Sequence, residues 1–325
     1  MWKLGNLDID GKVVLAPMAG ITSSGYREFF KQFGVAISVS EMVSDMGLIY
    51  GNQETKTYVD FAPQKYTGVQ LFGYEPENIK KAAEIALKLN KNIDFFDINM
   101  GCPVPKVTKT GAGSSLLKDP KRCGDIVRAI KSVCDLPVTA KIRLGWDEHS
   151  INFMDVIREL EDAGVDAIAI HARTKKELYS GTPHYDLLKG LQTKMKVPLI
   201  VSGNIFTLDD AIKAIDITGA TAVMVARGAI GNPYLVKQID IYYRTGERLP
   251  DPSRLDQIRW CLELCDFLIK EKGEETALRI YRGIASKFFS GFANSKHYRK
   301  RLSMELTDRQ SLVNILDDIK EELKD

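Results

Sequence analysis

The stretch 138–173, VTAKIRLGWDEHSINFMDVIRELEDAGVDAIAIHAR, decides the fold class of this chain. Its two ends are short apolar runs rich in β-branched residues, which are typical of buried strands. Between them, the apolar residues of NFMDVIRELEDAG recur with the period of a helix. A strand, a helix and a second strand in this order predict one parallel β/α/β unit.

The same alternation extends over the first three quarters of the chain. Eight apolar runs predict strands, which begin at Val13, Ala36, Thr67, Phe95, Val138, Ala167, Leu199 and Ala222. Helical segments fit between most of them, and several open with the Ser, Asp or Asn residues that cap helices. Eight strands with helical crossovers in about 240 residues predict a (β/α)8 TIM barrel rather than an open doubly wound sheet. We expect the DIDG turn at 8–11 to belong to a hairpin that closes the barrel floor.

The sequence pattern changes after Tyr243. The segment RTGERLPDPSR is typical of a linker, and helical periodicity replaces the strand pattern from about Leu255 onward. We therefore predict a TIM-barrel catalytic domain over 1–243, a linker over 244–254 and a small helical-bundle domain over 255–325.

Composition narrows the class of protein. The chain has 325 residues and is 44% hydrophobic, which is enough for a large buried core. It has no apparent signal peptide and no apolar stretch near the roughly 18 residues of a membrane helix, so we expect a cytoplasmic protein without a membrane partner. Five cysteines, an odd number, favour free thiols, and four scattered histidines give no metal-ligand spacing.

Polar residues follow nearly every predicted strand. Because the active sites of barrels lie at the carboxyl ends of their strands, these residues indicate a shared cavity for a polar ligand. The residues at these strand ends, most of them polar, are Met18, Glu41, Gln70, Asn99, Cys102, Lys141, Arg143, His171, Arg173, Ser202, Gly203, Asn204, Arg227 and Gly228. Glycines and an arginine after the last two strands are typical of a phosphate site, although such glycines can also serve only tight turns.

Lys141 lies inside the apolar run VTAKIRL. A buried ammonium without a partner is costly, so we expect one. Lys141 could form a Schiff base, as in barrel aldolases, or its charge could stabilise an electron-rich ring such as that of a reduced flavin. Gln70 and His171 would suit the polar edge and phosphate arm of a flavin, although a single histidine is more often structural.

Cys102 stands in DINMGCPVPKVTKTGAGSSLL, residues 97–117. The thiol could be catalytic, a metal ligand or a buried small residue. The absence of a Cys or His at ligand spacing argues against a metal. Its position at the end of a strand, among other polar strand ends, favours a place in the cavity. The loop lacks a complete dinucleotide-binding or P-loop motif.

A set of motifs, strung along the whole barrel, resembles one known family. These motifs are APMAG at 16–20, VQLFG, DINMGCP, KIRLGW, IHARTKKELYSG, SGNI and ARGAIGNP. They are similar to those of the tRNA-dihydrouridine synthases, flavin enzymes that reduce the 5,6 double bond of selected uridines in tRNA. Within that family the chain looks most like the bacterial B-type group.

The resemblance implies a role for each matching residue. Ala16, Pro17 and Met18 would border the ring of FMN, and Gln70 and Lys141 would bind its polar edge. The ribityl phosphate would be held by His171, Ser202, Gly203, Asn204, Ala226, Arg227 and Gly228. Asn99, Lys106, Arg143 and Arg173 would approach the target uridine or its phosphate.

The resemblance also implies the reaction. NADPH would reduce FMN, hydride would pass from N5 of the reduced flavin to C6 of the uracil, and Cys102 would give a proton to C5. A thiol with an ordinary pKa is mostly protonated at neutral pH, so it can act as a general acid. The target base must leave its stack to reach such a cavity.

The tail supplies a candidate RNA surface. Residues 279–304 contain seven Lys and Arg residues and no acidic residue, interleaved with aromatic side chains. This composition suits contacts to phosphates and bases. Together with the resemblance, it implies tRNA as the partner, and we expect the protein to be a monomer. The expected contacts include Arg282, Lys287, Arg299, Lys300 and Arg301, whereas Phe288, Phe289 and Phe292 are predicted to be core.

Two other functions compete with this one. An FMN-barrel oxidoreductase acting on a free pyrimidine or another small molecule would share the cavity but would not need the basic tail. A non-catalytic RNA-binding protein would share the tail but would not need Cys102 and Lys141.

Overall fold

The computed structural model describes residues 1–64 and 66–323. Its strands are β1 (Trp2–Leu4), β2 (Leu7–Ile9), β3 (Val13–Leu15), β4 (Ile37–Ser44), β5 (Thr67–Phe72), β6 (Phe95–Met100), β7 (Val138–Arg143), β8 (Ala167–His171), β9 (Leu199–Ser202) and β10 (Ala222–Val225). Strands β3 to β10 are parallel and close into a barrel in chain order, with β10 beside β3. The predicted TIM barrel is confirmed, and each strand begins within one residue of its predicted start.

Helices cover the outside of the barrel and make up the C-terminal part. The α-helices are α1 (Ser24–Phe30), α2 (Asp45–Ile49), α3 (Gln53–Thr57), α4 (Pro76–Leu89), α5 (Pro105–Thr108), α6 (Pro120–Lys131), α7 (Phe153–Asp162), α8 (Leu208–Thr218), α9 (Tyr234–Thr245), α10 (Arg254–Lys272), α11 (Glu274–Ala285), α12 (Ser295–Met304) and α13 (Arg309–Glu322). Short 3-10 helices span Lys31–Phe33, Gly113–Lys118, Tyr185–Leu188, Leu191–Lys194, Arg227–Ala229 and Ser286–Phe289. Between β8 and β9 two of these replace the α-helix.

The predicted hairpin is present, but its turn differs from the expected one. Strands β1 and β2 pair across Gly5 and Asn6, whereas DIDG at 8–11 runs from β2 into the segment that follows it. Gly5 has a φ of +57°, a left-handed conformation that glycine adopts easily. The Gly-containing two-residue turn therefore sets the register.

This hairpin closes the N-terminal floor of the barrel, as expected. Leu4 and Ile9 are fully buried. They belong to one apolar cluster with inward-facing barrel residues such as Phe95 and Met224. The opposite, C-terminal end of the barrel is left for a ligand.

The C-terminal helices pack against the barrel through α1. The ring of Phe267 on α10 lies 6.0 Å from that of Phe29, and Trp260 lies 5.3 Å from Phe33, centroid to centroid. A Cβ on Gly25 would lie 2.7 Å from the carbonyl oxygen of Phe267, so this close approach requires glycine. The junction is therefore a packed apolar interface.

The helix boundaries bear on the predicted domains. Helix α9 ends at Thr245 and α10 begins at Arg254, so the segment that connects them is 246–253. The predicted linker was 244–254. The last two residues of the predicted helical domain, 324 and 325, lie outside the described residues. The phenylalanines of the tail are buried, which agrees with their prediction as core: Phe288, Phe289 and Phe292. In the described part of the chain, no helix has the length and apolar character to cross a membrane.

Candidate active site

A cavity of about 370 Å³ opens at the C-terminal ends of the barrel strands. Parallel strands bring their ends together there, which is why side chains far apart in sequence share its wall. The predicted site residues that line it are Ala16, Pro17, Met18, Asn99, Cys102, Lys141, Arg143, His171, Ser202, Gly203, Asn204, Ala226, Arg227 and Gly228.

The other predicted site residues lie elsewhere. Gln70 and Arg173 are completely buried behind the cavity wall, and Lys106 is exposed on α5. The predicted RNA contacts lie on the C-terminal helices, on or just after α11 and on α12: Arg282, Lys287, Arg299, Lys300 and Arg301.

A buried chain of hydrogen bonds positions the loop that carries Cys102. Gln70 Nε2 donates to Asp97 Oδ2 at 2.6 Å, and Gln70 Oε1 accepts from Asn99 Nδ2 at 2.8 Å. Asn99 Oδ1 in turn accepts from the backbone N–H of Cys102 at 2.8 Å. The amide of Gln70 therefore fixes Asn99 and, through it, the turn at Cys102, and the predicted contact of Gln70 with a flavin ring stays a prediction.

The Cys102 thiol is half-buried on the cavity wall. Burial raises its pKa above the ordinary value, and the Val104 N–H and the charges of Lys141 and Arg143 oppose this rise only partly. The thiol is therefore protonated at neutral pH, which suits a proton donor and disfavours a nucleophile.

Lys141 projects from the middle of β7 into the cavity. Within the described residues its ammonium has no hydrogen bond and no ion pair. Burial, and to a smaller degree the charge of Arg143, lower its pKa to about 8, while Asp97 acts in the other direction. The expected partner of Lys141 is therefore not a protein side chain, and the ammonium is free to meet a ligand.

Arg143 and Arg173 both hold the loop after β8. Arg143 Nη1 donates to the carbonyl oxygens of Thr174 and Leu178, each at 2.8 Å. Arg173 Nε donates to the carbonyl of Ser180 at 2.8 Å. Arg143 also lines the cavity, whereas Arg173 lies behind it. The approach of both residues to the target uridine remains a prediction. The hydrogen bonds given above are to backbone carbonyls of the loop after β8.

His171 is buried beside Arg173. The guanidinium donates from Nη1 to His171 Nε2 at 3.2 Å, so this ring nitrogen accepts and the proton is assigned to Nδ1. Burial, followed by the nearby cations Lys141, Arg143, Arg173 and Arg227, drives the pKa of His171 far below its usual value. The imidazole therefore stays neutral and can donate one hydrogen bond.

The ends of β9 and β10 form a narrow backbone cradle. A Cβ on Gly228 would lie 1.9 Å from the carbonyl oxygen of Ile205, so only glycine fits. Gly203 has a φ of +130°, and Arg227 Nη2 donates to Asn204 Oδ1 at 3.1 Å. A glycine backbone and a guanidinium at the ends of these two strands are the elements of a phosphate site.

Two aromatic residues at the cavity mouth were not predicted. The guanidinium of Arg227 lies 4.7 Å from the ring centroid of Tyr179 and 5.5 Å from that of Phe206. Tyr179 is 54% exposed, and it belongs to the loop after β8. The sequence feature that could have predicted Tyr179 is its position as an aromatic residue in a loop that follows a barrel strand. Other wall residues carry no polar signal: Ala19, Ile21, Met42, Gly101, Pro103, Val104, Ile205, Met224 and Ile230.

Comparison with known proteins places the chain in a family. The family model described as dihydrouridine synthase (Dus) matches residues 14–324. The chain belongs to the dihydrouridine synthase family. The resemblance seen in the sequence is thus confirmed, and the protein is an enzyme of this family.

Named relatives of this dihydrouridine synthase cover nearly the whole chain. A probable tRNA-dihydrouridine synthase of Rickettsia conorii is 34% identical over 306 residues, 94% of this chain and 92% of the relative. The tRNA-dihydrouridine synthase B of Pseudomonas aeruginosa is 33% identical over 310 residues, 95% and 93% of the two chains. The tRNA-dihydrouridine synthase B of Pseudomonas putida is 33% identical over 311 residues, which are 95% of this chain and 91% of the relative. The matches therefore include the B-type group.

The side chains that could bind a metal ion are not grouped in the part of the chain that the structure describes. Across residues 1–64 and 66–323, no three His, Cys, Asp or Glu side chains are grouped to hold a metal ion.

Proposed function

We propose that this protein reduces selected uridines of tRNA to 5,6-dihydrouridine, with FMN in the barrel cavity and NADPH as electron donor. The observation that carries the proposal is the protonated Cys102 thiol on the wall of the same cavity as the unpaired Lys141 ammonium. An acid and a cation that face one cavity suit a reduction in which negative charge develops and a proton is then added. The names of the relatives supply the substrate.

The residues present fit an FMN group. The cavity has a volume of about 370 Å³, within the usual range for cofactor sites. The Lys141 ammonium, without a protein partner, would meet the polar edge of the ring. The glycines of the cradle, with Arg227 and the neutral His171, would hold the phosphate. Ala16, Pro17 and Met18 would border the ring.

When bound and reduced by NADPH, FMN would supply the hydride that adds to C6 of the uracil. Cys102 would then give its proton to C5, and its raised pKa keeps that proton available at neutral pH. Asn99 holds the backbone of Cys102 in place. The Lys141 charge would stabilise electron density on the ring next to it.

The C-terminal helices would hold the RNA. Lys287, Arg299 and Lys300 are exposed, so their charges are available to phosphates. Arg301 is already engaged, because it pairs with Glu305 at 2.9 Å and with Asp318 at 2.7 Å. Within the described residues Lys287, Arg299 and Lys300 have no ion pair, so we propose that they, rather than Arg301, contact the tRNA.

The test is a reconstituted reaction. Purified protein with its flavin is incubated with NADPH and an unmodified tRNA transcript, and dihydrouridine is measured by mass spectrometry of the nucleosides. The proposal expects dihydrouridine in the tRNA and none in a control with free uridine alone. A protein that reduces a free pyrimidine but not tRNA would favour the small-molecule alternative. A protein without flavin that still binds tRNA would favour the non-catalytic one.

A further inference from the structure

Two lysines and a tryptophan meet on the segments that follow β6, β7 and β8, at the same end of the barrel as the cavity. The ammonium of Lys118 lies 3.5 Å from the centroid of the Trp146 ring, and that of Lys175 lies 4.4 Å from it. Lys118 is exposed, and Trp146 and Lys175 are half-buried. We refer to Lys118, Trp146 and Lys175 as the rim cluster.

The rim cluster lies across the cavity from the C-terminal helices. Its members follow β6, β7 and β8, respectively. The C-terminal helices contact α1, which follows β3, and their segment at Lys287 packs against Gly231, which follows β10. In the closed barrel β7 and β3 are four strands apart in either direction, so the two surfaces face each other across the mouth.

The charges of the rim cluster are not neutralised by the protein. Within the described residues, neither Lys118 nor Lys175 has an ion pair or a side-chain hydrogen bond. Of the two carboxylates next to Trp146, Asp147 pairs with Lys176 at 2.8 Å, and within the described residues Glu148 forms an ion pair with neither lysine of the rim cluster. Two cations that share one aromatic ring repel each other, and an anion bound next to them would relieve that repulsion.

We propose that the rim cluster binds backbone phosphates of the tRNA through its two ammonium groups, which the Trp146 ring holds in place. This inference rests on the proposed function. The two ammonium groups supply the charge that phosphates need, and their cation–π contacts with the indole fix where that charge lies. The RNA is then held on both sides of the nucleotide that enters the cavity, by the helical tail on one side and the rim cluster on the other.

The test compares charge reversals in the holoenzyme. Lys118→Glu, Lys175→Glu and the double variant are compared with Lys213→Glu, an exposed lysine on α8 outside the barrel. The dissociation constant for a tRNA transcript is measured over a range of salt concentrations. The double variant should bind about tenfold more weakly at low salt, and the slope of log K against log salt should fall in magnitude by roughly one to two. Lys213→Glu should change neither.

Further variants and measurements separate a loss of tRNA binding from a loss of folding or of cofactor reduction. Flavin content and thermal midpoint report folding, and Lys118→Gln and Lys175→Gln replace the reversals if these do not fold. Trp146→Phe should retain part of the affinity, because it keeps an aromatic face. Reduction of the bound flavin by NADPH without tRNA should be unchanged in every variant.

Two results would overturn the inference. One is that the double variant has the same tRNA affinity and the same salt slope as Lys213→Glu. The other is an unchanged tRNA affinity with a raised KM for NADPH, which would make the rim cluster a dinucleotide contact. Both are separate from the proposed function, which fails only if the wild-type protein makes no dihydrouridine.

Discussion

Burial acts on Cys102 and Lys141 in opposite directions. It raises the pKa of the thiol and lowers the pKa of the ammonium to about 8, because in each case the neutral form is favoured. The thiol consequently stays protonated at neutral pH. The ammonium is still mostly charged there, but it loses its proton readily above pH 8.

Replacement of Cys102 separates the proton step from cofactor binding. Cys102→Ala should keep its flavin, and NADPH should still reduce that flavin, because the side chain contributes only a small part of the cavity wall. Dihydrouridine formation should fall by about 10²- to 10⁴-fold, the usual contribution of a general acid. Single-turnover assays with tRNA measure the loss. Unchanged turnover would refute the assignment of Cys102 as the proton donor.

The role proposed for Lys141 predicts that FMN affinity depends on pH. Since its pKa in the protein without ligand is about 8, the ammonium is charged below that pH and neutral above it. FMN affinity should therefore fall above pH 8, by up to about tenfold per pH unit. Flavin fluorescence titrations between pH 7 and pH 10 test this expectation. Lys141→Met should bind FMN weakly and lose the pH dependence, and a variant with a normal profile would contradict the role given to Lys141.

At the scale of elements, the sequence predicts strands better than it predicts contacts. Each barrel strand was evident from its short apolar run, and the polar strand ends located the cavity. The partner of each polar group was not evident, because residue type and strand position do not show which atom a side chain reaches. Gln70 reaches Asp97 and Asn99, and Arg173 reaches the loop after β8, so neither lines the cavity wall.

One capping contact joins two distant elements. Glu271, near the end of α10, accepts hydrogen bonds from Ser23 Oγ at 2.6 Å and from the Gly25 N–H at 2.8 Å. Helix α1 begins at Ser24, so a residue of the C-terminal helices caps it. The loop of residues 16–22, which contributes Ala16, Pro17 and Met18 to the cavity, runs directly into this capped end.

Loss of this cap should weaken the junction. Glu271→Ala should lower the free energy of unfolding by about 1 kcal/mol, as the loss of an N-terminal cap does elsewhere. Denaturant titrations measure the change. The matched control is Glu263→Ala on the same helix, whose pair with Arg259 at 3.8 Å should contribute little. Equal stability of the two variants would show that the cap does not stabilise the junction.

At the scale of the whole molecule, the sequence predicted a barrel and a helical tail but not how they meet. The contact of Phe267 with Phe29 joins residues far apart in the chain, and local patterns carry no information on such a pairing. The structure shows the tail packed beside the loops that follow β10 and β3. This placement leaves the cavity mouth open between the tail and the opposite rim.

The exposed cations of the tail should contribute to tRNA binding. Arg299→Glu with Lys300→Glu should weaken binding about tenfold at low salt and reduce the salt dependence, because each lost phosphate contact lowers the number of released counterions. Filter binding at several salt concentrations measures both effects, and Lys213→Glu serves again as the control. If affinity were unchanged, the RNA surface would lie elsewhere on the molecule.

The most direct test of the central claim is a map of dihydrouridine in cellular tRNA. Cells that lack this protein are compared with cells that regain it as the wild type or as Cys102→Ala, and modified positions are identified by mass spectrometry. We expect dihydrouridine to be missing from defined tRNA positions without the protein, to return with the wild type and to stay missing with Cys102→Ala. An identical dihydrouridine map with and without the protein would contradict the proposed function.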